Sequence, residues 1–174
     1  HTRRLTAAGI QSEFQCYNQN SLESVERLMR RGIYKGPLVL NWVAIGGGMD
    51  SPNIYTLANF VRGVPDGAVL TVESSVLNTL PVNMWGIAAG LHVRTGTEDN
   101  LWNQTRTAKI GTVKQIEQLV RISGELGRPI ATAKQAREIC RIGVFYDTAE
   151  EALAANGFAP NAPGRQQGFL RKAA

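Results

Sequence analysis

Arg94, Glu98 and Asp99 stand close together near the middle of this chain, in the segment Leu91-His92-Val93-Arg94-Thr95-Gly96-Thr97-Glu98-Asp99-Asn100. His92, Arg94, Gly96 and Glu98 occupy alternate positions, so an extended backbone projects all four to one side. A guanidinium, an imidazole and a carboxylate converging at a strand end beside Asp99 suit binding or polarising something anionic. An opposite charge at close range keeps at least one carboxylate ionised. Two readings stay open at this point: a reactive cluster, or a structural ion pair between Arg94 and a carboxylate. His92 reads as a core histidine, because a catalytic zinc takes three protein ligands and the other histidine, His1, is terminal.

Other polar groups gather where strands are expected to end: Glu13, Gln15, Tyr17 and Asn18, then Asn41, then Glu73, Ser74 and Ser75. The loop Gly46-Gly47-Gly48-Met49-Asp50 can bring backbone N–H groups close to a phosphate, or can be a plain tight turn. It is neither a P-loop nor a dinucleotide fingerprint. Cys16, Ser74 and Ser75 have no partnered histidine, which argues against nucleophilic catalysis.

The elements that must position these groups alternate. A helix end closes at Gly9, and residues 10–17 read as a strand. A helix follows, capped by Asn20 or Ser21 and running through Arg31. Leu38–Ile45 is nearly all apolar, the pattern of a strand buried on both faces. Pro52 or Asn53 opens a helix to Arg62, residues 69–73 form a third strand, and residues 79–89 a helix closed by Gly90. A fourth strand is expected over 92–96, then helices over 113–126, from Thr132 through Arg141, and from Thr148 to Asn156. Strand–helix alternation implies a parallel sheet with right-handed crossovers, either open and doubly wound or half of an eight-stranded barrel. In both, ligands collect beyond the C-terminal ends of the strands.

The chain has 174 residues, 43% apolar and 19% charged, enough for one domain with a sizeable core. No apolar stretch approaches a membrane span, and no signal peptide opens it. The net charge of +5 is spread over Arg27, Arg30, Arg31, Lys109, Lys114, Arg121, Lys134, Arg137 and Arg141 and a basic tail, which reads as solvated helix faces and not as a nucleic-acid surface. Cys16 and Cys140 read as reduced, buried thiols of a cytoplasmic protein.

Four stretches then resemble one family, the β-keto acid cleavage enzymes. Gly90 through Asn100 is similar to its G-x-H-V-R-x-G-x-E-D-N signature. Gly9-Ile10-Gln11-Ser12-Glu13-Phe14, Pro37 through Gly48, and Gly127-Arg128-Pro129-Ile130-Ala131-Thr132 with Ala136-Arg137-Glu138-Ile139 match further family segments in order and spacing. The resemblance implies an α/β (β/α)8 TIM barrel, with residues 1–157 supplying strands five to eight and 158–174 a surface tail. It implies a divalent metal, usually zinc, and condensation of a β-keto acid with acetyl-CoA to give acetoacetate and a new acyl-CoA. Glu98 is the implied metal ligand, and Arg94 and Asp99 the implied pair that deprotonates the keto acid. Glu13, with Asn41, Gly47 and Gly48, falls on the substrate side. The family's two metal-binding histidines belong to an early strand absent from these residues, so the expected partner is a missing N-terminal half. Gln15 and Asn18 stand where an acid is common, and Ser12 where proline is. A half-barrel with an apolar inner face and open edges is expected to associate, as a homo-oligomer, and not to persist as a lone monomer. The alternatives are a free-standing α/β domain binding an anionic ligand, or an inactive fragment.

Overall fold

The computed structural model describes residues 1–162. Four parallel strands, β1 (Glu13–Cys16), β2 (Val39–Ala44), β3 (Val69–Ser74) and β4 (His92–Val93), form one sheet in the order β1-β2-β3-β4. That order contains no reversal, so the doubly wound arrangement with its switch point is not adopted. The registers place Gln15 beside Asn41, Asn41 beside Thr71, and Thr71 beside His92.

The helices are α1 (Thr2–Ala7), α2 (Gln19–Arg30), α3 (Ile54–Gly63), α4 (Thr79–Ala88), α5 (Thr112–Glu125), α6 (Ala133–Ile139) and α7 (Ala149–Ala155). In α2, Leu22, Val25 and Met29 recur at helical spacing and are buried. Its cap is Asn18, whose side chain accepts from Ser21 N, two residues earlier than expected. Asn53, Thr132 and Thr148 cap α3, α6 and α7, and Thr132 with Gln135 completes a capping box. Strand alternation decides which side chains meet these helices. Cys16, Leu40, Trp42, Ala44, Leu70 and Val72 enter one core with Leu22, Met29, Leu57, Phe60, Val82 and Leu153. Glu13, Gln15, Asn41, Thr71, Glu73, His92 and Arg94 take the alternate positions and share the opposite, polar face. Gly86 lets α4 lie close on β3 and β4: a Cβ there would sit 2.5 Å from Val72 Cγ2 and 2.9 Å from Val93 Cγ1.

The N-terminal ends of the strands are tied down by side chains. Asn156, fully buried, accepts from Leu38 N at 2.7 Å and donates to Ala152 O at 2.7 Å and Gly36 O at 3.2 Å. Arg141 donates to Gly67 O at 2.7 Å, to Ala155 O at 3.1 Å and to Asn156 Oδ1 at 3.1 Å. Gln11 donates to Cys140 O at 2.8 Å.

Several expectations need correction. The first strand is shorter than residues 10–17, because Ile10 N turns back to Leu5 O and closes α1. The fourth strand stops at Val93, well short of 96. Arg30 is not solvated: it is 1% exposed and forms a 2.6 Å ion pair with Glu26 one turn earlier. Arg141 likewise serves the interior. Cys16 is buried, whereas Cys140 is half-buried; both are free thiols. Of the expected tail 158–174, residues 163–174 lie outside the described residues.

Candidate active site

The C-terminal strand ends carry the chemistry. Arg94 leaves β4 with its N–H on Val72 O at 3.1 Å and its carbonyl held by Asn83 Nδ2 at 2.9 Å, so the main chain is fixed on both sides. Beyond it the chain turns: Asp99 N and Asn100 N both donate to Gly96 O. This corrects the extended reading of His92 to Glu98. Glu98 meets Arg94 as an i,i+4 pair across a turn, not by strand alternation. Asn100 is buried and bonded to Trp102 N and O, while Gln115 Nε2 donates to Asn100 O at 2.8 Å, which pins the turn to α5.

The Arg94 guanidinium is surrounded by three carboxylates. Nε lies 2.6 Å from Glu73 Oε2, and Nη2 lies 2.7 Å from Glu98 Oε2 and 3.4 Å from Asp99 Oδ1. Their side-chain exposures differ sharply: 4% for Glu73, 13% for Asp99 and 83% for Glu98. Glu73 therefore anchors Arg94 from the rigid sheet, and Glu98 meets it from solvent. Burial pushes the Glu73 carboxyl above the usual carboxylate range; the neighbouring Asn41 amide and Arg94 oppose this, and Asp99 and Glu98 add to it. Asp99 is raised as well, by burial first, with Arg94 opposing and Glu98 reinforcing. Asp99 Oδ2 is buried and has no hydrogen-bond partner. Such an oxygen is a buried acceptor with its hydrogen-bonding capacity unused.

Asn41, midway along β2, is fully buried, and neither its Oδ1 nor its Nδ2 has a partner at hydrogen-bonding geometry, near as the Glu73 carboxylate is. Buried amides are almost always bonded, so this one is conspicuous on the polar face. The rim also stores strain. Val76, just past β3, has φ +54°, which a β-branched residue rarely adopts, and its N–H donates to Asp99 O at 2.7 Å.

The other expected residues sit apart from this cluster. Glu13 opens β1 at the far end of the same face, exposed, beside Val39. Gly47 and Gly48 lie in the loop after β2, where Gly46 and Gly47 take positive φ and Asp50 closes back on Gly46 N, Tyr17 O and Trp42 Nε1. His92 is exposed on the open face and not in the core; partial burial and Arg128 lower its pKa. From the sequence, Glu73 reads only as a strand-end acid. The pairing of Thr71 with His92 and of Val72 with Val93 brings Glu73 level with Arg94, and that register marks it as Arg94's partner.

Among the described residues no group of three or more His, Cys, Asp or Glu is arranged to hold a metal ion. Glu98 is accessible but shares one oxygen with Arg94, so these residues do not close a metal site by themselves.

A family model for β-keto acid cleavage enzyme matches residues 1–142. The chain belongs to the β-keto acid cleavage enzyme family. Relatives include a 3-keto-5-aminohexanoate cleavage enzyme of Acetoanaerobium sticklandii, 30% identical over 77% of this chain and 49% of the relative. A 3,5-dioxohexanoate:acetyl-CoA acetone transferase of Paraburkholderia graminis is 26% identical over 78% of the chain and 45% of the relative. A 3-oxoadipate:acetyl-CoA acetyltransferase of Cupriavidus necator is 25% identical over 78% and 49%. The chain thus spans about half the length of the curated relatives it matches. The Arg94 cluster lies within the residues that the family model matches.

Proposed function

We propose that this chain supplies the Arg94–Glu98–Asp99 part of the active site of an enzyme that condenses a β-keto acid with acetyl-CoA. The CH2–COO⁻ fragment of the keto acid is transferred to the acetyl group, giving acetoacetate, and the remaining acyl group passes to the CoA thiol. The carrying observation is Arg94 held between Glu73 and Asp99 with Asp99 Oδ2 left free of partners. In this reading Asp99 accepts the proton from the carbon between the two carbonyls, and Arg94 orients Asp99 and steadies the charge that develops. Asn41, Gly47 and Gly48 are assigned to the substrate side, with Asn41 offering its unpaired donor and acceptor, whereas Glu13, at the opposite end of β1, lies away from the reacting groups.

Residues 1–157 form half of a (β/α)8 barrel, strands five to eight; the unreversed strand order and the one-sided helix layer support this. The remaining half, on a complementary segment, completes the barrel, and the assembled protein is a homo-oligomer. Glu98 takes one ligand place of a divalent ion such as zinc, whose other ligands come from that half. When bound, such an ion supplies Lewis-acid polarisation of a carbonyl oxygen. No helix of the described residues is long and apolar enough to cross a membrane, which accords with a cytoplasmic setting.

The test is turnover by the intact protein. Acetyl-CoA is mixed with 3-keto-5-aminohexanoate, 3,5-dioxohexanoate or 3-oxoadipate, and acetoacetate and acyl-CoA are measured. Formation of acetoacetate from one of them is expected. Absence of acetoacetate with every one refutes the reading.

A further inference from the structure

Three carboxylates touch Arg94, but they are not equivalent. Glu98 and Asp99 belong to the turn that follows β4, whereas Glu73 comes from β3, which is paired to β2 along its whole length. Glu73 is 3% exposed and approaches Nε, the one nitrogen of the guanidinium that is tied to the side-chain stem. Fixing that edge fixes the plane of the group and leaves Nη2 directed at the turn, 2.7 Å from Glu98 Oε2 and 3.4 Å from Asp99 Oδ1. A carboxylate buried this deeply contributes little to folding, since an apolar residue of similar volume commonly serves stability as well or better. The pairing therefore calls for a role in orientation.

We propose that Glu73 is a positioning residue for the reaction: it holds Arg94 so that Nη2 faces Asp99, and acts on turnover only through Arg94. This rests on the reading of Arg94 and Asp99 as the proton-handling pair.

The experiment compares Glu73→Met and Glu73→Gln with the wild type in the intact protein, using acetyl-CoA and the three keto acids named above. Glu73→Met matches the volume and removes the anchor. Arg94 is 29% exposed and can turn to solvent, so folding is expected to survive, with the melting temperature within a few degrees of wild type. Its kcat is expected to fall about 100-fold, as misplacement of a catalytic group by about 1 Å does, while KM for acetyl-CoA changes less than about three-fold. Glu73→Gln keeps an oxygen facing Nε and should retain turnover to within about ten-fold of wild type. A crystal structure of Glu73→Met should show Arg94 Nη2 moved away from Asp99. A Glu73→Met enzyme with kcat within about three-fold of wild type, or with Arg94 still on Asp99, overturns the proposal, as does a Glu73→Gln enzyme as slow as Glu73→Met. If the wild type itself turns over none of the substrates, the functional reading falls, and the Arg94 position in the variant structure still decides the positioning claim.

Discussion

Asn41→Leu should make the protein more stable and less active. Asn41 is fully buried in the central strand, between Gln15 on β1 and Thr71 on β3, and both of its side-chain polar atoms lack hydrogen-bond partners. Burying an amide without partners costs about 1–3 kcal/mol by protein mutational measures. Leucine has a similar outline and fits a strand better than asparagine does. A gain of about 2 kcal/mol follows, which in a protein of this size raises the melting temperature by about 4–8 °C. Calorimetry and urea titration of wild type and variant measure it. The same change deletes the donor and acceptor offered to substrate and removes the neighbour that opposes the raised Glu73 pKa, so kcat/KM for the keto acid should fall. A variant that is less stable than wild type would show that Asn41 is satisfied in solution. The argument from the unpaired amide would then fail.

Three further outcomes are expected. Asn156→Ala removes the acceptor for Leu38 N and the donor to Ala152 O and Gly36 O, all buried, and should destabilise by about 3–5 kcal/mol in urea melts, with the rim chemistry untouched. Burial pushes the Cys16 thiol up to about 12, so a thiol reagent at pH 8 should label Cys140 and spare Cys16 in the folded protein. Because that pKa is raised above 9.0 by folding, the folded state keeps a proton the unfolded chain loses. The stability is complete below pH 9.0 and is lost as pH rises toward about 12, and Cys16→Ala should flatten that alkaline limb. On the proposed function, Asp99→Asn in the intact protein should bind a divalent ion as the wild type does, assayed by elemental analysis, and lose turnover by about 10²–10⁴-fold, whereas Glu98→Gln should lose both ion and turnover; full activity in Asp99→Asn would remove it from the mechanism.

The backbone layout was legible wherever periodicity and capping agreed. The apolar run from Leu38 to Ile45 became the central strand, and Thr132, Thr148 and Asn53 capped the helices expected of them. The rim was harder to read. Between Arg94 and Asn100 polar and small residues alternate as in a strand, yet Gly96 O collects two amides and the chain turns. Pattern alone cannot register such a local closure. Nor could it show that Glu73, an acid inside a strand, is buried, because its stability there depends on a cation from another strand. The same holds for Arg30 and Arg141, whose charges looked solvated until their partners were in place. The order of strands argues against a doubly wound sheet only once all three registers are visible.

Asn156 and Arg141 have a consequence for how such a site can change. They fasten the strand starts from below, using groups that no reading of the chemistry involves. The strand ends are thereby freed from holding the sheet together, and can carry a strained Val76 and crowded like charges. Substitutions at the rim are drawn against a reserve kept at the opposite end. In a chain built this way, a single replacement at the rim leaves the fastening of the strand starts intact.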